Sequence, residues 1–368
     1  MLFQPPAPDN AELEVVAAID GVRHRLRYQL YEPRRWGGLL RRLLEADSIR
    51  ASTGIEGHHV SRDDAVASVD RAERFDASDP DWAALAGYRD AMGYVIQMSD
   101  DPHFSYSDGL LRSLHYMMMQ HDHDKLPGLY RPGPIFVGDY EGPASEMVPG
   151  LMRELAERLN EAGDKSPPIV QAGMAHLNLL MIHPFKDGNG RMARALHTLV
   201  MGRNGTLDPW FSSIEEYLGI NTPRYYRVLA EVGGTGWAPE RDARPWIRFV
   251  LGAHYHQAHS MEWRIEESNR VWATVDRVRA EAGLDERNMG SLFDAAEGYR
   301  VRRYRHVAYA DTSERVASAD LRKLVDLGLL RPVGERRGRY YLASEQFLSR
   351  VAEARTFRPQ IPDPFGSV

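Results

Sequence analysis

The run His183-Pro184-Phe185-Lys186-Asp187-Gly188-Asn189-Gly190-Arg191-Met192-Ala193-Arg194 holds the residue types and spacings that phosphate chemistry requires. Gly188-Asn189-Gly190 is a tight turn that opens a helix. The first N–H groups of a helix lack partners within it, and its dipole favours negative charge there. Glycine lets the backbone turn sharply and approach a ligand closely. Arg191 and Arg194, three apart, share one face of the first turns, and their forked donors suit phosphate oxygens. Asp187 stands at the rim, where a hard carboxylate beside phosphates is the usual holder of Mg²⁺. His183 ends the preceding helix and can accept a proton near neutral pH. Base, carboxylate and cradle together specify attack of a hydroxyl on a nucleotide phosphate, driven by positioning and charge stabilisation.

This segment resembles the Fic family, whose motif reads His-Pro-Phe-x-(Asp/Glu)-Gly-Asn-Gly-Arg-x-x-Arg, and every defined position matches. The resemblance implies a helical core and transfer of AMP from ATP to a Ser, Thr or Tyr hydroxyl of a protein, which could be the chain itself. It makes His183 the base that deprotonates the target and Asp187 the Mg²⁺ ligand. Gly188, Asn189, Gly190 and Arg191 would cradle phosphates, Arg194 would hold the γ-phosphate, and Phe185 would pack to seat the loop. The same site could instead remove AMP, or transfer another phosphate-bearing group. A nucleotide-sensing, DNA-binding regulator is the reading from a different class.

Further segments fit the resemblance. Gly128 to Gly138 is similar to the family's flap, a hairpin over the site that pairs with the target backbone. Arg131, Ile135, Phe136 and Val137 are its target-binding residues, with Ile135 as the clamp. Tyr225 and Tyr226 sit where relatives wall the adenine pocket; amphipathic packing, with one ring buried and one at the surface, is the alternative. Ser52-Thr53-Gly54-Ile55-Glu56-Gly57 matches an inhibitory motif, (Ser/Thr)-x-x-x-Glu-(Gly/Asn). It implies that Glu56 competes with the γ-phosphate for Arg194. Gly54 and Gly57 are weak helix formers, so this segment is expected to be a short, loosely held helix.

These groups need helices to position them. Helical spacing predicts elements over Trp82–Met98, Leu110–Met119, Val148–Leu159, Ile169–Met181 and Arg191–Met201. His183-Pro184 ends one of them, because proline disfavours a helical residue before it. Ile135-Phe136-Val137 reads as a short extended arm. Ala243–His254 and Met261–Ala282 read as two helices. His121-Asp122-His123-Asp124 and His58-His59 read as solvated loops.

Near the C-terminus, Ser313 caps a helix with a buried stripe at Leu321, Leu324 and Val325, stopped by Gly328. Val333 to Leu342 reads as a hairpin with a basic tip at Arg336, Arg337 and Arg339. Helix plus hairpin resembles a winged helix-turn-helix. Residues 301–350 hold 11 Arg and Lys against 6 Asp and Glu, a footprint suited to DNA; a protein-interaction or homodimer module is the alternative.

The fold class is therefore mainly α, a Fic-type helical bundle with a small β-hairpin flap plus a C-terminal winged-helix domain. The expected divisions are 1–80, an N-terminal region with the inhibitory helix; 81–260, the catalytic core; 261–285, a linker helix; 286–350, the winged helix; and 351–368, a loose tail. The 368 residues carry a formal net charge of −6, so no global basic field recruits nucleic acid or acidic lipid. The chain has no cysteine, which excludes a disulfide framework, a thiolate metal site and a cysteine nucleophile. No apolar run reaches the ~20 residues of a membrane span and Met1–Asn10 is no secretory signal, so a cytoplasmic location is expected.

Overall fold

A computed structural model describes residues 1–31, 34–71, 79–161, 166–204, 207–335 and 338–366. Helix dominates. The elements run α1 (Asn10–Tyr31), α2 (Gly37–Ile55), α3 (Arg62–Val69), α4 (Pro80–Ser99), α5 (Asp108–Met119), β1 (Phe136–Val137), β2 (Tyr140–Glu141), α6 (Val148–Asn160), α7 (Pro168–Ile182), α8 (Asn189–Arg203), α9 (Glu215–Ile220), α10 (Thr222–Gly233) and α11 (Arg244–Glu281). They continue with α12 (Met289–Ala296), α13 (Arg303–Ala310), α14 (Glu314–Asp326), the hairpin β3 (Leu330–Val333) and β4 (Tyr340–Ala343), and α15 (Glu345–Ala352). Two compact units emerge: Met1–Gln29 with Leu44–His259 and Ile361–Val368, and Leu30–Leu43 with Ser260–Gln360.

In the first unit α7 is the central element. Its sequence is apolar on nearly all sides, and it is buried along almost its whole length, as a helix without a polar face must be. It packs on α8 and α6, while α4 packs on α5 and α8. Local signals set the helix starts: Asp79 caps α4 ahead of Pro80, and Ser107 accepts from the Leu110 N–H to cap α5. The N-terminus joins this core, because Leu2 and Phe3 are fully buried and the Asn178 side chain brackets the Phe3 backbone from both sides.

Three expectations change. Ala243–His254 and Met261–Ala282 fall almost wholly in one 38-residue helix, α11 (Arg244–Glu281), rather than in two. Between them Tyr255 to Ser260 is polar but contains neither glycine nor proline, and nothing there ends a helix. The tail is not loose throughout: from Ile361 it belongs to the first unit, where Asp363 pairs with Arg224 at 2.9 Å and Arg248 lies 5.4 Å over the Phe365 ring. The Glu56 segment is no short, loose helix. It ends the 19-residue α2, with Ser52 and Thr53 fully buried and Gly57 at φ 90 closing the helix.

In the second unit the buried Asp294 accepts from Arg42 and from the Tyr309 hydroxyl, and Arg287 holds Asp320 with two bonds. α14 begins on Ser313 and buries Leu321 and Leu324 as expected, while Val325 is only half-buried. β3 and β4 pair antiparallel, and Val301 bridges to Tyr341. Arg336 and Arg337 lie outside the described residues. No helix among the described residues is long and apolar enough to cross a membrane.

Candidate active site

The loop between α7 and α8 carries the chemistry. Pro184 stops α7, and His183 caps it in a left-handed conformation, φ 49 and ψ 59, which few non-glycine residues adopt. Its Nδ1 lies 3.2 Å from the Leu180 carbonyl oxygen. A carbonyl only accepts, so Nδ1 carries the proton and Nε2 keeps a free lone pair. Burial lowers the His183 pKa, with Arg131 acting the same way; the Leu180 carbonyl, Glu56 and Asp187 oppose them without overcoming burial. The ring is therefore neutral near pH 7 and able to accept a proton.

The loop is braced from below. The buried Asn189 side chain accepts from the Phe185 N–H at 3.0 Å and donates to the Phe185 carbonyl at 2.9 Å. Its amide is thus spent on loop shape, and what Asn189 offers a phosphate is its backbone N–H. Phe185 stacks on His115, centroids 3.7 Å apart and rings parallel within 2°. His115 Nδ1 accepts from the Gly128 N–H, so Nε2 carries the proton and donates to the Asp187 carbonyl at 2.9 Å. Burial pushes the His115 pKa down to about 4, which keeps that tautomer neutral. Gly188 has φ 76, and a Cβ there would stand 3.0 Å from Met119 Sδ, so only glycine fits.

Arg191 and Arg194 lie under the helix start, 1% and 2% exposed. Arg191 Nε and Nη1 and Arg194 Nη1 are buried without a hydrogen-bond partner among the described residues. The Arg191 guanidinium has Asp187 only at 3.8 Å, too long for a hydrogen bond. Burial lowers its pKa, although Glu56 and Asp187 favour its charge. Buried cationic donors left open are costly, and they sit beside the free N–H groups of α8. The arrangement is a candidate anion pocket.

Glu56 occupies part of that pocket. Its Oε1 accepts from Arg194 Nη2 at 2.7 Å, while Ser52 accepts from Arg194 Nε at 2.6 Å and, through its carbonyl, from Nη2 at 3.0 Å. A Cβ on Gly190 would stand 2.1 Å from Glu56 Oε1, so glycine at 190 is what admits the carboxylate. Burial disfavours the Arg194 charge, but Glu56, Tyr225 and Tyr88 outweigh it and raise its pKa. Behind Arg194 lies a carboxylate that sequence reasoning missed. Glu215 is buried, accepts from the Tyr88 hydroxyl at 2.8 Å, and is pushed by burial to a pKa of about 7 against the pull of Arg194.

Asp187 stands at the rim, half-exposed, paired with Lys125 at 2.8 Å and accepting from the Gly188 N–H. Burial raises its pKa, but Lys125, that N–H and Arg191 together hold it below the usual carboxylate value, so it is ionised. Among the described residues no group of three or more His, Asp or Glu side chains could hold a metal alone. One ionised carboxylate beside an open phosphate pocket does fit Mg²⁺, which takes one or two carboxylates and completes its shell with phosphates and water. His123 and Lys125 bound a short 3₁₀ turn, and His58 pairs with Asp81 at 2.9 Å.

Tyr225 and Tyr226 part company. Tyr225 is buried against His176, Trp246 and Phe249, its hydroxyl 2.9 Å from His176 Nε2, so it packs behind the cradle and lines no open wall. Tyr226 is 45% exposed beside the end of α2. In the flap, Phe136 and Val137 form β1, pair with Glu141 and Tyr140, and are exposed; Ile135 is half-buried. Gly138 makes the turn at φ 59. On the far side, β2 is taken up, because the Glu141 N–H donates to the Thr235 carbonyl. Arg131 is not a target-facing residue. It is 4% exposed and donates to the carbonyls of His183, Gly133, Pro143 and Ile182. Four carbonyls from both segments converge on one guanidinium, which ties the flap base to the His183 turn.

Comparison with known proteins bears on this helix–turn–helix: residues 106–201 match the Fic/DOC family. The chain is 33% identical over 124 residues to the protein adenylyltransferase fic-1 of Caenorhabditis briggsae, which spans 33% of this chain and 22% of the relative. It is 31% identical over 174 residues to the protein adenylyltransferase Fic of Nematostella vectensis, spanning 45% and 36%. The chain thus covers about a fifth to a third of these relatives' length. Among solved structures, a Fic family protein from Desulfovibrio desulfuricans G20 is similar in fold, with TM-score 0.58 and 22% identity over 93% of this chain and 99% of that one. Fic-1 from C. elegans gives TM-score 0.55 and 20% identity over 68% and 71%.

Proposed function

We propose that this chain is a protein adenylyltransferase that moves AMP from ATP to a side-chain hydroxyl of a protein and is restrained by Glu56. The reading is carried by the open donors of Arg191 and Arg194 beneath the α8 start, with an unprotonated His183 Nε2 at the same loop. The names of the relatives point the same way. In the reaction, His183 Nε2 takes the hydroxyl proton and the oxygen attacks the α-phosphorus. A new P–O bond forms as the bond to the β-phosphate oxygen breaks, and pyrophosphate leaves. The N–H groups of α8 and Arg191 bind phosphate oxygens, and Arg194 takes the γ-phosphate once Glu56 withdraws. Asp187, released by Lys125, would hold Mg²⁺, which neutralises phosphate charge. Tyr226 flanks the nucleotide, and the open edge of β1 would receive an extended stretch of the target.

Incubating the protein with labelled ATP and a lysate tests this. His183→Ala should lose transfer while keeping its helical content, because the bond that caps α7 is made by the His183 backbone N–H, which the substitution leaves in place. Undiminished labelling by that variant overturns the mechanism.

A further inference from the structure

The second unit holds a positively charged recess with no part in phosphoryl transfer. α13, α14 and the β3–β4 hairpin enclose an open groove of about 680 Å³, lined in part by Arg302, Arg303, Arg322 and Arg339. Arg303 is paired with the exposed Glu314 at 3.2 Å, and Arg302 lies 5.7 Å from the Tyr340 ring. Arg322 and Arg339 are exposed and form no ion pair among the described residues. Like charges gathered in one groove raise the local concentration of anions there.

Asp311 reverses the chain at φ 43, and after a three-residue turn Ser313 caps α14. α14 buries Ala317, Asp320, Leu321 and Leu324 and leaves Glu314, Arg315, Ala319, Arg322, Lys323 and Asp326 exposed. One exposed helix face beside a two-stranded hairpin suits a duplex, whose major groove is about 12 Å wide and admits one helix. Single strands are bound by stacking bases on open aromatic rings. Here Tyr340 already carries Arg300 at 4.6 Å and Arg302, and Tyr304 lies against Arg305 at 5.9 Å.

We propose that this groove is a duplex-DNA site, with α14 entering the major groove and Arg302, Arg322 and Arg339 on the phosphates. The order α12, Val301 bridged to Tyr341, α13, α14, β3, β4 is that of a winged helix, and the second helix of such a pair is the one that reads the groove.

The test is fluorescence anisotropy of the full chain with a labelled mixed-sequence duplex of about two helical turns. Three phosphate contacts give a slope of log affinity on log salt near −2.7, or about 40-fold weaker binding from 50 to 200 mM. The double variant Arg322→Ala, Arg339→Ala should bind more weakly and reduce the slope by about 1.8. Both side chains are exposed, so circular dichroism and melting should match the parent. His183→Ala should bind as the parent does, which separates this site from the transferase reading. No binding near 50 mM salt, or binding that the double variant leaves unchanged, overturns the proposal. So does equal affinity for a single strand or for polyglutamate.

Discussion

Replacing Glu56 by glycine removes the carboxylate that, among the described residues, is hydrogen-bonded to Arg194. What is lost is a single charge-assisted bond at 2.7 Å to a guanidinium that is 2% exposed. Hydrogen bonds to charged groups contribute about 1.5–3 kcal/mol. Ser52 still binds Arg194 at two points, so the guanidinium stays in place for an incoming phosphate. If the whole of that energy becomes available to the γ-phosphate in the aligned complex, transfer rises by roughly 10- to 150-fold. Glu56→Gln, which keeps the shape and drops the charge, should fall between. The assay is self-labelling with ATP, read by intact mass, at equal protein concentration. Equal labelling of parent and Glu56→Gly refutes the brake. AMP removal that requires Glu56 would refute it differently, by making the carboxylate a positioner of water.

Asp187→Ala should cost activity far more than stability. Its partner Lys125 is itself substantially exposed, and such surface pairs are worth about 0–1 kcal/mol. The melting temperature should therefore fall by no more than about 4 °C, while Mg²⁺-dependent turnover collapses; an unchanged Mg²⁺ titration refutes the ligand role. The pH profile carries a sign. His183 works as the neutral base, and burial lowers its folded pKa below the ordinary histidine value of 6.5. Activity is thus retained above that lowered pKa and lost as pH falls through it, so the acid limb of kcat/KM lies below 6.5. Because Glu56 raises this pKa, the limb of Glu56→Gly lies lower than that of the parent; a limb above 6.5 in both contradicts the assignment.

The sequence disclosed most where function is contiguous. The loop from His183 to Arg194 reads directly because base, turn and cradle follow one another, and each residue type has one chemical use there. Glu56 was legible through a short pattern, and the structure sets it on Arg194 across 138 positions. Hidden roles belong to residues whose partners are remote. His115 reads as an ordinary core histidine on α5 until Gly128 and Asp187 are found on its two nitrogens. Glu215 opens a short helix beside Glu216, and nothing in the sequence says which of the two carboxylates is buried. Arg131 looks like a surface cation of a hairpin, because sequence does not show that four carbonyls will face it. Tyr225 and Tyr226 are adjacent, so helical geometry alone requires that they point differently, but not which goes inward.

The shortness of β1 bears on how much a target's sequence can matter. Two residues, Phe136 and Val137, offer an incoming chain only a couple of backbone bonds, about 2 kcal/mol in all. Backbone bonds read extension and direction and are blind to side-chain identity. Ile135, Phe136 and Val137 add apolar contact that many residues satisfy. An alignment of modified peptides would then carry little information around the acceptor hydroxyl, and an isolated peptide would be a poor substrate however faithful its sequence. Choice of target would rest on where the acceptor loop is presented, and a folded partner would be recognised by its shape.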